Sequence, residues 1–284
     1  MKYNIINNWI ETFELIKKRS IILFPFVIVA FLEGLAFELI YFFPRKPISF
    51  IANPIIKKFF GETFVHYPGN LILLPRLFYY LQIVIYIVIG VFLTAITINI
   101  FKNIKSKLPL KTNALINNAA KRYLSFFIYG ILMIALIFLL KKGDLFILSK
   151  FFKLTAKIAP NRTVQLYPFI SSMFLFFTNI LMQVFLVLTL PIIVIKNKTL
   201  LKALVESIYL GIRNFFTIFI LIVIPFLIYL PISLLKSFQL AIVNKAFPEI
   251  TLYITIVGII VAMFIDCFIT ICAAQFLLDK TKVK

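Results

Sequence analysis

Six long runs of apolar residues dominate the sequence and constrain its fold more than any other feature. At a rise of 1.5 Å per residue, about 20 apolar residues in a helix cross the roughly 30 Å hydrocarbon core of a bilayer. The runs do not alternate between apolar and polar residues, as strands of a membrane barrel would. We therefore predict an all-α, polytopic membrane bundle, a single transmembrane domain over residues 1–284. The predicted spans are about 20–43, 77–101, 123–140, 168–195, 214–235 and 252–278.

Composition supports the membrane class and bears on the partners. The chain is 62% hydrophobic, whereas soluble domains contain about 45–50% apolar residues. The net charge of +20 would suggest nucleic acid binding in a soluble protein. Here the basic residues lie mostly between the apolar runs, where they orient the chain and contact anionic lipid headgroups. We expect lipid partners and no nucleic acid.

The distribution of basic residues also predicts an orientation. With the N-terminus inside, 17 of the 30 basic residues fall in segments on the inner side. This bias predicts that both termini are cytoplasmic. The low glycine count of 8 and the 34 phenylalanines suggest an AT-rich microbial genome. We therefore expect the cytoplasmic membrane of a prokaryote.

Three short amphipathic helices are predicted on the inner side, at about 4–18, 112–122 and 199–212. Each precedes an outgoing span, and such helices lie flat at the headgroup level. Ala-Leu precedes Phe-Phe by twelve residues in the second and third copies, which are 89 residues apart and suggest a threefold repeat of helical hairpins. The residues expected to contact headgroups or a docked partner are Lys121, Arg122, Lys202, Ser207 and Arg213.

Three acidic residues lie inside predicted spans and form the candidate intramembrane polar site: Glu33, Glu38 and Asp266. An ionised carboxylate at this depth is costly, so it is usually paired, protonated or turned to the bundle interior. Small residues recur every four positions beside the acids, which predicts close antiparallel packing of the first and sixth spans. These small residues are Ala30, Gly34, Gly258 and Ala262.

That packing would bring Glu33 and Asp266 to the same depth, about 18–20 Å from the inner end. Two neighbouring carboxyls can share a proton. One interpretation is a proton-coupled or cation-coupled site, or the polar lining of a substrate path. The other is a protonated pair that only fixes the register of two helices, and the sequence leaves both open.

Residues 190–216 carry a family resemblance. They contain Pro191 at the end of the fourth span, a polar turn at 196–198, Ala203-Leu204, Ser207 and Asn214-Phe215. This pattern resembles a six-span prokaryotic membrane protein family of unknown function, related to the membrane domain fused to some glycerophosphodiester phosphodiesterases. The resemblance implies a fold and a membrane location, and it implies no reaction.

The sequence offers no recognisable catalytic constellation. A single His, His66, excludes the usual His-rich metal site, and no Gly-rich phosphate loop or nucleophile elbow occurs. We expect no enzyme activity, cofactor or metal. One hypothesis is an accessory, scaffold or lipid-organising protein. The alternative is a transport component, either a carrier using Glu33 and Asp266 or a permease subunit with a separate ATPase or enzyme partner.

Overall fold

The computed structural model describes residues 4–67, 69–155, 160–237 and 249–282. The described chain is 88% helical with no strands, which confirms the all-α prediction. We number the α-helices in chain order: α1 (Ile5–Lys18), α2 (Phe24–Tyr41), α3 (Ser49–Phe60), α4 (Gly69–Ile85), α5 (Val91–Lys105), α6 (Thr112–Ala120), α7 (Tyr123–Thr155), α8 (Pro160–Leu186), α9 (Thr189–Ile195), α10 (Leu200–Arg213), α11 (Phe215–Ser237) and α12 (Ile250–Lys282).

Six helical segments within the described residues are long and apolar enough to cross a membrane. Their mean hydropathies range from 1.8 to 2.8, and much of their surface faces outward. A helix that is apolar on all sides fits a lipid environment. The prediction of a six-span membrane bundle is therefore confirmed. The segments are Phe24–Tyr41, Gly69–Lys105, Tyr123–Lys150, Phe169–Ile195, Phe215–Lys236 and Ile250–Lys280.

The third span is longer than the sequence indicated. We expected a span over 123–140, but α7 runs without interruption from Tyr123 to Thr155. The charged residues that suggested a boundary are tolerated within the helix. Lys141 places its ammonium 5.6 Å from the ring centre of Tyr79 on α4. A long lysine side chain can reach a partner in this way without ending the helix.

The second span contains a local change of helix type. Between α4 and α5, residues Tyr86–Gly90 form one turn of π-helix. The backbone of Gly130 on α7 lies close to this turn, since a β-carbon on Gly130 would be 3.2 Å from the Ile87 Cα. Thr94 Oγ1 donates to the carbonyl oxygen of Gly90 at 2.8 Å. Single π-helical turns inside α-helices often occur at functional sites.

The fourth span is broken between α8 and α9. Pro191 has no backbone N–H, so helical bonding across the break is incomplete. Two hydroxyls from other helices donate to the carbonyl oxygens at the end of α8. Ser207 Oγ donates to Phe185 at 2.7 Å, and Tyr129 Oη donates to Leu186 at 3.4 Å. These side chains supply donors that the bilayer interior lacks.

The short helix α9 lies in the main hydrophobic core, with residues 189–194 buried. Two basic side chains stabilise its C-terminal end. Lys102 Nζ donates to the carbonyl oxygen of Ile195 at 3.4 Å, and Arg122 Nη1 donates to that of Ile193 at 2.8 Å. Cations are favourable at this end because the last carbonyls lack helical partners and the helix dipole is negative there.

Helix α1 has its polar side turned toward the protein. Asn8 and Thr12 are buried, whereas Ile6 and Phe13 are 61% and 65% exposed. Asn8 Nδ2 donates to the carbonyl oxygen of Cys272 on α12 at 3.3 Å. In a soluble protein this polarity would be reversed. The exposed apolar face fits contact with lipid at the membrane surface.

Helix α10 packs on α8 through small residues. Ala203, Ser207 and Gly211 are buried, and a β-carbon on Gly211 would lie 3.0 Å from the Val184 carbonyl oxygen. Small residues every four positions allow two helices to approach this closely. The opposite face of α10 exposes Leu201 and several other apolar side chains.

Helix α6 buries Leu115 and Ala119. These two positions precede the buried Ala203 and Ser207 by 88 residues. The Ala-Leu pairs in the sequence are instead 89 residues apart. The buried faces of the two helices are therefore displaced by one residue from the Ala-Leu and Phe-Phe frame.

Candidate intramembrane polar site

Glu33 lies near the middle of α2 and is partly buried. Gln82 on α4 donates from Nε2 to Glu33 Oε2 at 3.1 Å. The ammonium of Lys236, on α11, is close enough to attract the Glu33 carboxylate. Glu33 therefore has polar neighbours from two other spans, which is the usual arrangement for an acid inside a membrane.

Asp266 lies near the middle of α12 and faces the same region. It interacts electrostatically with Glu33, and Tyr86 in the π-helical turn interacts with Asp266. The side chain of Asp266 is exposed on the described bundle. Glu33 and Asp266 thus lie near enough for their charges to interact.

Lys236 belongs with Glu33, Gln82 and Asp266 to one polar cluster, and the sequence did not indicate that this lysine would be a member. Its Nζ donates to the hydroxyl of Tyr229 at 3.2 Å. It also passes over Gly258 on α12, where a β-carbon would lie 3.1 Å from Nζ. Lys236 lies near the end of α11, one residue beyond the predicted span over 214–235. Gly258 on the facing helix is the sequence feature that could have indicated this position. A glycine has no side chain, so it leaves room for the lysine to turn inward.

Glu38 does not belong to the cluster. It is exposed, one turn before the end of α2 at Tyr41. Five residues separate it from Glu33, which on an α-helix places the two side chains on different faces. The prediction that Glu38 belongs to the intramembrane polar site is therefore wrong.

The predicted small-residue contact between the first and sixth spans is also wrong. A β-carbon on Gly34 would meet no atom within 4 Å, and Gly258 packs against Ile232 and Lys236 of α11. Ala30 and Ala262 are partly buried. Helices α2 and α12 do pack together, but through larger side chains. Ile259 of α12 belongs to one buried cluster with Phe37 and Ile40 of α2.

The residues predicted to contact headgroups or a partner divide into two groups. Lys121, Lys202 and Arg213 are exposed. Ser207 is fully buried, and Arg122 directs its guanidinium to the end of α9. Ser207 is therefore not at the surface, and both side chains donate to carbonyl oxygens of the fourth span.

A charged group that the sequence did not single out joins the middle of α10 to the turn that precedes this helix. Glu206 accepts from Lys196 Nζ at 2.8 Å and pairs with Lys198 Nζ at 2.7 Å. Burial acts to raise the pKa of Glu206, but the hydrogen bonds and charges of the two lysines outweigh it and lower that pKa below its ordinary value. The three side chains fix the turn between α9 and α10.

Comparison of the chain with protein-family models, with curated proteins and with solved structures finds no match. The resemblance carried by residues 190–216 therefore stays a prediction. The fold and the polar cluster are the observations on which a function can be proposed.

Proposed function

We propose that the chain is a non-catalytic transport component, a small carrier whose path includes the cluster of Glu33, Gln82, Asp266 and Lys236. Its place is the cytoplasmic membrane of a prokaryote, with both termini in the cytoplasm. The observation that carries the proposal is that Glu33 and Asp266, near the middle of α2 and α12, interact with each other, and that Glu33 also has Gln82 and the ammonium of Lys236, from near the end of α11, as polar neighbours. Such residues are costly in lipid and mark substrate or proton pathways in membrane proteins.

The charges of the cluster support coupling to one proton or one monovalent cation. Two carboxylates and one ammonium carry a net charge of −1, and one bound proton makes the cluster neutral. Because a net charge inside a bilayer costs at least about 2.5 kcal/mol, binding a cation is favourable there. The adjacent turn Tyr86–Gly90 is π-helical, and its backbone hydrogen bonds can change to the α-helical pattern.

Proton uptake into proteoliposomes tests this proposal. The purified protein is reconstituted with an internal pH-sensitive dye, and a potassium gradient with valinomycin drives protons inward. Glu33→Gln and Asp266→Asn each remove an ionisable group with little change of shape. We expect each variant to lower protein-dependent uptake at least about tenfold.

Glu38→Gln is the matched control, because Glu38 is an exposed acid on the same helix. It is expected to take up protons like the wild type. Size-exclusion profiles and melting temperatures in detergent show that each variant is folded. Equal uptake by the wild type, both cluster variants and empty liposomes would contradict the carrier.

An accessory role is the second candidate. Lys121, Lys202 and Arg213 are exposed on or beside α6 and α10, where they can contact anionic headgroups or an ATPase or enzyme subunit. In this case Glu33 and Asp266 only hold helices in register. Folded Glu33→Gln and Asp266→Asn proteins with unchanged uptake favour the accessory role over the carrier.

A further inference from the structure

A cavity of about 210 Å³ lies between α8 and α11, in the outer half of the proposed membrane region. This volume is far above the roughly 10–15 Å³ that one water molecule requires. Apolar side chains form much of its wall, and the rings of Phe176 and Phe226 meet edge to face there with centres 6.4 Å apart. The walls belong to two spans, α8 and α11.

Four polar side chains also line this cavity: Ser172, Asn179, Tyr229 and Ser233. Asn179 is exposed, although it stands near the middle of the span Phe169–Ile195. An amide that faces hydrocarbon without a partner costs several kcal/mol. The position of Asn179 therefore fits a ligand with polar atoms inside the cavity.

Tyr229 connects the cavity to the polar cluster. Its ring lines the cavity, and its hydroxyl accepts a hydrogen bond from Lys236 Nζ at 3.2 Å. Lys236 is one turn beyond Ser233 on the same helix. A positive charge thus stands beside an otherwise neutral polar and apolar cavity.

We propose that this cavity binds an anionic amphiphile from the outer leaflet, with its acidic headgroup at Lys236 and its apolar chain against Phe176 and Phe226. The proposal deepens the proposed function, because it names the class of molecule that the carrier would move. An anion at Lys236 takes the place of Glu33 as the partner of the ammonium. One more proton on the carboxyl pair then keeps the whole assembly neutral, so the anion binds together with a proton.

Binding of 1-decanesulfonate to the protein in phosphatidylcholine nanodiscs tests the site. This probe carries one negative charge at every accessible pH, so its own titration does not enter the result. Calorimetry measures binding, with the heat of empty nanodiscs subtracted. We expect Lys236→Met to weaken binding at least about tenfold, and Lys236→Arg to retain it, because the headgroup needs the charge.

Two further variants separate the site from general effects. Asn179→Leu replaces an exposed amide with a side chain that lipid favours, so the protein folds and binding is expected to fall. Lys150→Met is the matched control, since Lys150 is an exposed lysine toward the end of another span. It is expected to bind like the wild type.

Several outcomes would overturn the site. They are equal binding of decyltrimethylammonium or decanol, undiminished binding by Lys236→Met, or an equal loss in Lys150→Met. The site and the carrier are tested separately. Decanesulfonate binding without any proton uptake, whether decanesulfonate is present or absent in the uptake assay, overturns the carrier and leaves the site. Proton uptake that depends on Glu33, without decanesulfonate binding, overturns the site and leaves the carrier.

Discussion

At the scale of single residues, the membrane makes hydrogen-bond donors scarce, and this protein uses particular side chains to supply them. Ser207 and Tyr129 donate to the carbonyl oxygens of the broken fourth span, and Lys102 and Arg122 donate to the end of α9. An unmade hydrogen bond at a buried carbonyl costs about 1–3 kcal/mol. The polar residues around α9 are therefore structural.

Glu206 makes stability depend on pH. Its pKa is lowered in the folded protein, so its contribution is complete above the ordinary value of 4.5 and is lost as the pH falls through the lowered pKa. We expect the melting temperature in detergent to fall as the pH drops below that value, and Glu206→Gln to reduce this dependence. Glu14→Gln is the control, because the exposed Glu14–Lys18 pair contributes little. Identical pH profiles for wild type and Glu206→Gln would contradict the assignment.

At the scale of elements, close helix contacts occur where a glycine meets a backbone. A β-carbon added to Gly211 would be 3.0 Å from the Val184 carbonyl oxygen, whereas one added to Gly143 on α7 would meet no atom within 4 Å. The same residue type therefore has opposite roles at the two positions. Backbone atoms cannot move aside cheaply, so the contact between α8 and α10 depends on Gly211.

Gly211→Ala is expected to destabilise the protein by about 1–3 kcal/mol, because the new methyl group overlaps the backbone of α8. Gly143→Ala is the matched control. It is expected to leave stability unchanged or to raise it by up to about 1 kcal/mol, since alanine favours a helix more than glycine does. Reversible unfolding in mixed dodecyl sulfate and maltoside micelles measures both. An equal effect of the two substitutions would refute the close contact.

The sequence predicted elements well and contacts between them poorly. Apolar runs located the spans, and amphipathic periodicity located the short helices before them. Both patterns depend on residues that are near in sequence. The small-residue stripes did not reveal their partners, because a glycine does not specify which helix packs on it: Gly34 meets no atom within 4 Å, and Gly258 meets α11. The inward turn of Lys236 depends on Gly258 of another helix, so no local pattern could show it.

At the scale of the whole molecule, α1 and α12 join distant parts of the chain at one end of the bundle. Asn8 and Cys272 are 264 positions apart, and Lys105 at the end of α5 pairs with Glu11 at 3.1 Å. The helix α3 lies at the opposite end, in a small separate cluster with the start of α4. The bundle therefore has two different ends, one of which faces the cytoplasm in our proposal.

Labelling of introduced cysteines tests this arrangement. Lys17→Cys, Lys202→Cys and Lys280→Cys are expected to react with a membrane-impermeant maleimide from one side, and Lys58→Cys from the other, because all four lysines are exposed. The unsubstituted protein is the control, since Cys267 and Cys272 are buried and should not react. Reaction of Lys17→Cys and Lys280→Cys from opposite sides would contradict the fold.

The buried polar face of α1 has a consequence for biogenesis. Its partner on α12 is synthesised about 264 residues later, which at 5–20 residues per second is a delay of roughly 15 to 50 seconds. During that time α1 lacks the bond from Asn8 to the Cys272 carbonyl oxygen. This contact can form only after the sixth span has been inserted. A chain that stops early keeps an exposed polar helix, which a membrane protease can distinguish from the finished protein.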